Sequence, residues 1–359
     1  MMQTRNNAVL AWVKKKVEEE FSEDIHLLVV YGSYYMGNMS ALSDVDFYFV
    51  PKTRRGLMLA QTFIIEGVGY DLFPLSWGQL ERISNLEQPL TPLLLNSKIV
   101  YQLDEESGSV FHTLQHNTQK NLEDELFRHM QALSLLSAAY LYFEKLEDAK
   151  TLGEKRYFAG EILLRLSDAV AYQNGTYFIY GMKKHKEELS SLPTLPEDFL
   201  SYYDRIIFAT DAVALTDSVQ QLLATTSLFF GNPNLSGEAF PKEQAKEENA
   251  FVDFVFLAAL YGEIISTFNK IYVACEEKNA ILAFFSAISL QNVLNEEFPM
   301  LSISLLETFD GANLVGLYGA AKRAEASLVT YIENGGGEIL RYPTLSDFFT
   351  AQEAKNLHI

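Results

Sequence analysis

The 359-residue chain has a single cysteine, Cys275. That count excludes an internal disulfide and a cysteine-based zinc site, and leaves the thiol as a small buried hydrophobic group. Histidine is nearly as scarce. Of the six, only His112 and His116 stand at helical i,i+4 spacing, and with no accompanying glutamate motif they read as structural rather than zinc-binding. Basic residues are few as well: 28 Lys and Arg against 47 Asp and Glu give a net charge of −19. Such a field repels a polyanionic backbone, which argues against a nucleic-acid partner, and it attracts cationic small molecules. No uninterrupted apolar run reaches the length of a membrane span, and Met1–Asn7 lacks the apolar core of a secretory signal. A cytoplasmic protein that does not enter membranes is therefore expected. No internal repeat of 20 to 50 residues and no low-complexity segment is present. What remains is ordinary for globular chains, with 48% hydrophobic and 21% charged residues over a length that suits two or three domains.

The informative stretch runs from residue 26 to residue 50. His26-Leu27-Leu28-Val29-Val30-Tyr31 is short, apolar and rich in strand formers, and it predicts a buried strand that stops at Gly32. Gly32 and Ser33 form its exit turn. A glycine there lets a phosphate approach the backbone, and Ser33 offers a hydroxyl and an amide at the start of a helical turn that Gly37 and Asn38 end. A second strand is predicted over Asp44-Val45-Asp46-Phe47-Tyr48-Phe49-Val50, where a period of two puts Asp44 and Asp46 on one face. Paired carboxylates repel unless a cation lies between them. Mg²⁺ takes hard oxygen ligands from one or two carboxylates and from substrate phosphates, so Asp-x-Asp beside a phosphate-cradling turn is coherent chemistry. The competing reading, a hairpin rich in turn residues, is opposed by the ten residues between Ser33 and Asp44.

The set Gly32-Ser33-x3-Gly37-x5-Ser43-Asp44-x-Asp46 resembles the signature of the nucleotidyltransferase superfamily that includes DNA polymerase β. It is similar to the form seen in small-molecule and minimal nucleotidyltransferases, and a small catalytic domain followed by helices is similar to the organisation of the kanamycin-type enzymes. The resemblance covers residues 24 to about 103 and implies a small catalytic α+β domain with a mixed sheet. It also implies a third acidic residue on a later strand, for which Asp71 in Gly67-Val68-Gly69-Tyr70-Asp71-Leu72-Phe73 is the candidate; an ion pair with Arg54 or Arg55 is its structural alternative. Asp44, Asp46 and Asp71 would then hold two Mg²⁺ ions, while Gly32, Ser33 and Ser43 meet the phosphates of a nucleoside triphosphate. Many relatives carry a basic residue directly after the Gly-Ser pair, whereas this chain has Tyr34 and Tyr35. Phosphate charge would have to be met elsewhere, by Lys52, Arg54, Arg55, Lys183 or Lys184, each also explicable as a solvated loop charge. Tyr34 or Tyr35 would be free to stack on the base.

Beyond the motif, an amphipathic helix is predicted over residues 8–22, with strands at Thr62–Ile65, Tyr70–Leu75 and, as an edge, Lys98–Leu103. Ser76 caps a helix over Trp77–Ile83. Asp104–Ser109 reads as a turn, and from there on apolar residues recur at helical spacing over 120–150, 154–174, 197–228, 249–276, 278–294 and 313–334. The expected fold class is α+β, a mixed sheet with helices followed by an all-α bundle. The expected divisions are a catalytic domain over 1–108, an acceptor-side helical domain over 109–230, and a further helical region over 231–359 entered by an exposed connector, Gly231–Asn249.

Members of the resembled family commonly place acceptor-binding groups, and sometimes a base, on the helical part. Glu161, Arg165 and Asp168 share one helix face at i, i+4 and i+7, which makes Glu161 the candidate base; a surface stripe of paired charges is the plainer alternative. The implied activity is transfer of a nucleoside monophosphate to a hydroxyl of a small acceptor, such as an aminosugar or lincosamide, with release of pyrophosphate. Two other readings are kept: a nucleotide- or partner-binding protein of antitoxin or regulatory type with little or no activity, and transfer of the nucleotide onto a protein.

Overall fold

A computed structural model describes residues 2–37, 44–231 and 252–356. Ser43 and nearly all of the expected connector at 231–249 lie outside the described residues. The first part of the chain runs α1 (Met2–Glu20), β1 (Ile25–Tyr31), α2 (Gly32–Met36), β2 (Asp46–Pro51), β3 (Gln61–Ile65), β4 (Val68–Pro74), α3 (Trp77–Ser84), α4 (Pro92–Leu95), β5 (Ser97–Gln102) and α5 (Glu105–Glu123). Then come α6 (Glu125–Asp148), α7 (Leu152–Gln173), α8 (His185–Ser190), α9 (Phe199–Ile207) and α10 (Ala212–Phe229). The chain closes with α11 (Phe254–Glu276), α12 (Ala280–Glu297), α13 (Val315–Asn334), β6 (Arg341–Tyr342) and α14 (Leu345–Asn356). A mixed sheet in the N-terminal part followed mainly by helices is the α+β class read from the sequence.

Two compact units are present. One comprises the described parts of 1–121, 254–266 and 331–359, the other those of 122–253 and 267–330. The first unit holds the sheet, in the order β5-β1-β2-β4-β3-β6. β1 is antiparallel to β2 and β5, β2 runs parallel to β4, and β3 and β4 form a hairpin. Its two-residue turn, Glu66-Gly67, has φ of 54° and 76°, the positive pair that matches strand twist. On one face Val9, Val13 and Val17 of α1 and Phe348 of α14 pack on Leu28, Phe47, Phe63 and Leu72. The other face buries Val29, Tyr48 and Val50 under α3, α4 and the middle of α5.

Several boundaries differ from the sequence reading for local reasons. α1 starts six residues before the expected helix, because Arg5 and Asn6 are buried against Tyr70 and the first turn is held by tertiary bonds. Asp104–Ser109 is helix from Glu105 onward: the Asp104 carboxylate accepts the Ser107 N–H at 2.8 Å, the bond of an N-cap rather than of a free turn. Residue 108 therefore lies inside α5. Asp124 breaks the expected 120–150 helix by capping α6, and Asp211 does the same ahead of α10.

In the second unit, α7 begins with a Thr151–Glu154 capping box and packs against α6 and α12. Gly160 permits that approach, since a Cβ there would stand 2.5 Å from Ile288 Cδ1. α11 is the one helix among the described residues that is long and apolar enough to cross a membrane, a feature absent from the sequence reading. It is also a core helix, with Leu257, Tyr261, Ile264, Phe268 and Ile271 buried, and it carries Glu263 and Lys270.

Candidate active site

The candidate site forms where β1, β2 and β4 meet at one end of the sheet. β1 stops at Tyr31 because Gly32 takes a φ of +70° and turns the chain into α2. A Cβ at Gly32 would stand 2.1 Å from Asp46 Oδ2 and 2.7 Å from its Cγ, so the Asp46 carboxylate lies directly on the glycine backbone. Both the positive φ and the contact demand glycine. In the β1–β2 ladder Tyr31 pairs with Asp46, which puts both side chains on one face. In the parallel β2–β4 ladder Phe47 pairs with Leu72, so one step earlier Asp46 and Asp71 are lateral neighbours on the same face, their backbones about 4.8 Å apart. The floor beneath them is aromatic: the rings of Tyr31, Tyr48 and Phe73 pack with centroids 5.9 to 6.5 Å apart.

Asp44 precedes β2, which begins at Asp46 rather than at Asp44 as the sequence suggested. Its carbonyl accepts from Asn6 Nδ2 at 3.0 Å; Asn6 Oδ1 accepts from the Tyr70 hydroxyl at 2.6 Å; and that hydroxyl accepts from Arg5 Nε at 2.8 Å. Arg5, Asn6 and Tyr70 are all buried, so the first turn of α1 fixes the backbone that carries Asp44. The Asp44 charge raises the pKa of Tyr31 on one face and of Tyr70 on the other, as a group at the end of the sheet would. The neighbouring Asn7 accepts from the Tyr34 hydroxyl at 2.6 Å and so ties α2 to α1.

Asp71 is half-buried, and burial pushes its carboxyl up to about 7, with the charge of Glu263 adding to the shift. Glu263 was not found in the sequence reading. Its charge acts on Asp71 because α11 seats closely on the β3–β4 hairpin, where a Cβ on Gly69 would stand 2.4 Å from the Gly262 carbonyl oxygen. Thr62 Oγ1 donates to the Ala259 carbonyl at 2.8 Å in the same contact. The available signal was Gly262, a glycine inside an apolar helical run, which marks close packing but not its partner.

The other candidates are distributed as follows. Ser33 is half-buried in α2, and its carbonyl accepts the Gly37 N–H. Glu161 is in the second unit, ion-paired with Arg165 at 2.5 Å, and Arg165 stacks over Tyr142 at 4.0 Å. Burial pushes the nearby Asp168 carboxyl up to about 8, so this stripe is half-buried rather than a surface feature. Lys183 and Lys184 are exposed in the second unit, with Lys184 over the Tyr180 ring at 4.8 Å. Lys52, Arg54 and Arg55 follow the far end of β2, and Lys52 is six residues and on the order of 20 Å of strand from Asp46. Arg55 pairs there with Asp24, not with Asp71. These three cannot meet a phosphate held at Asp46. Tyr34 packs on the core below the sheet, while Tyr35 is exposed.

No protein-family model matches the chain, and no curated protein matches it in sequence. Among the described residues no three Asp, Glu, His or Cys side chains are gathered tightly enough to hold a metal ion, and Asp44 and Asp46 both have interactions of their own. Asp46 and Asp71 share a sheet face and Asp44 sits two residues before the strand, and their oxygens are the hard donors that a divalent cation takes. Tyr31 senses all three: burial first, then Asp46, Asp44 and Asp71, hold its phenol well above the ordinary value.

Proposed function

We propose that the protein is a magnesium-dependent nucleotidyltransferase that acts on a small hydroxyl-bearing acceptor. The acceptor oxygen bonds to the α-phosphorus of a nucleoside triphosphate, the bond from that phosphorus to the bridging oxygen of the β-phosphate breaks, and pyrophosphate departs. The observation that carries the reading is the β2–β4 register, which makes Asp71 the neighbour of Asp46 directly above Gly32. Asp44, Asp46 and Asp71 would hold two Mg²⁺ ions, which when bound screen the phosphate charge and acidify the acceptor hydroxyl. Gly32 makes room for the Asp46 carboxylate against the backbone rather than for a phosphate, and Ser33 would supply donors to the departing phosphates. Asp71, its carboxyl raised by burial and then by the charge of Glu263, can accept the proton that the hydroxyl loses.

Glu161, Lys183 and Lys184 belong to the second unit, and this chemistry does not depend on them. The net charge of −19 favours a cationic acceptor of the aminosugar kind over a nucleic acid, and a cytoplasmic setting supplies both nucleotide and magnesium. The test is pyrophosphate release from ATP, GTP, CTP and UTP against panels of aminosugar and lincosamide acceptors. Wild type should release pyrophosphate with at least one pair, and Asp46→Asn should lose roughly a thousandfold while keeping its fold. Undiminished turnover in Asp46→Asn would defeat the assignment.

A second reading is favoured by the absence of a compact metal cluster among the described residues: the fold binds nucleotide or a partner without chemistry. Magnesium-dependent binding of a non-hydrolysable triphosphate, with no pyrophosphate from any acceptor, would select it. Labelling of a protein band by α-labelled ATP would point instead to nucleotide transfer onto protein.

A further inference from the structure

We propose that the Tyr31 hydroxyl is a substrate-contacting group that donates a hydrogen bond to a phosphate oxygen of the bound metal–nucleoside triphosphate; this rests on the nucleotidyltransferase reading. Tyr31 is the last residue of β1, directly before Gly32, and its side chain shares a face with Asp46 through the β1–β2 pairing. Its ring is fixed from two sides by Tyr48 at 5.9 Å and Phe73 at 6.5 Å. A phenylalanine would satisfy both ring contacts equally, so packing does not explain the hydroxyl.

Among the described residues the hydroxyl makes no hydrogen bond, and it is not sealed in the core, so its proton is available to a ligand. The contrast is Tyr48 on the same face, whose hydroxyl is spent on the Leu93 carbonyl at 2.9 Å. The phosphates also need a donor from this end of the sheet. No basic residue follows Gly32-Ser33, and Lys52, Arg54 and Arg55 stand at the other end of β2. A neutral O–H beside three carboxylates is chemically apt, because it can bond an anionic oxygen without pairing with the aspartates as a lysine would.

The experiment measures binding of a Mg²⁺ complex of a non-hydrolysable triphosphate, and of Mn²⁺ alone, to wild type, Tyr31→Phe and Tyr48→Phe. For Tyr31→Phe the expected result is a loss of about tenfold in triphosphate affinity, with Mn²⁺ binding and melting temperature unchanged. Tyr48→Phe should melt lower yet bind triphosphate as wild type does, which separates contact from packing. Equal triphosphate affinity in wild type and Tyr31→Phe overturns the proposal and leaves the nucleotidyltransferase reading standing. A Tyr31→Phe protein that loses Mn²⁺ affinity instead also overturns it, since the hydroxyl would then only orient carboxylates. A wild type that binds no metal–triphosphate removes the underlying reading, and this proposal with it.

Discussion

Gly32 is the residue with least freedom. It combines a left-handed φ with a carboxylate seated where any Cβ would go, so Gly32→Ala must both strain the backbone and displace Asp46. We expect a stability loss of roughly 1–3 kcal/mol with a much larger loss of nucleotide binding, measured by denaturant unfolding beside calorimetric titration. Wild-type binding in that variant would mean that the contact does not matter. Asp168 is the opposite case, a carboxyl raised to about 8 by burial, with Arg165 opposing the shift. Between about pH 4 and 8 the unfolded chain has lost this proton while the folded chain keeps it. Its contribution is therefore fully present below pH 4 and is lost as pH rises through 8. Asp168→Asn removes that dependence, so relative to wild type it should gain roughly 1–3 kcal/mol from pH 4 to pH 8, read from urea unfolding at both ends. Parallel pH profiles would show that Asp168 is not held neutral.

At the scale of elements, α1 is more than a cover for the sheet. Its outer face carries routine i,i+4 pairs such as Lys15–Glu19, but its first turn sends Asn6 to the Asp44 carbonyl and Asn7 to Tyr34 of α2. The helix thus holds the segments on either side of residues 38–43. Asn6→Ala leaves the Tyr70 hydroxyl and the Asp44 carbonyl without this partner, and should cost about 1–3 kcal/mol and raise the Mg²⁺ concentration needed for half-maximal activity severalfold. A variant destabilised to that degree but with an unchanged Mg²⁺ requirement would confine α1 to a structural role. None of this was legible in the sequence, because apolar periodicity reports Val9, Val13 and Val17 and says nothing about Arg5 or Asn6. The strands over 27–31, 47–50 and 62–65 were legible, since β-branched and aromatic runs bounded by Gly and Pro have few alternatives. The start of α5 was missed because Asp-Glu-Glu-Ser serves a turn and a helix cap equally well, and only the Asp104–Ser107 bond decides between them.

For the whole molecule, what the sequence conceals is pairing across distance. Gly32-Ser33 and Asp44-x-Asp46 announce themselves within one short stretch, whereas the adjacency of Asp46 and Asp71 depends on β2 choosing β4 as its parallel neighbour, with β3 outside. Glu263 lies further still from the motif, and its charge acts on Asp71 only because the chain returns to the first unit with α11 after passing through the second. That return also explains why chain order is a poor guide to the compact units here. The acidic surface has no local address at all: a charge of −19 acts on encounter with ligands rather than on any one contact.

The claim under all of this is that Asp44, Asp46 and Asp71 act together on divalent metal. The most direct measurement is Mn²⁺ binding, followed by electron paramagnetic resonance with a non-hydrolysable nucleoside triphosphate present, in wild type, Asp46→Asn and Asp71→Asn. The account predicts saturable binding in wild type and a loss of tenfold or more in each variant, with all three proteins folded. Mn²⁺ binding that is absent from wild type, or equal in all three, would contradict it.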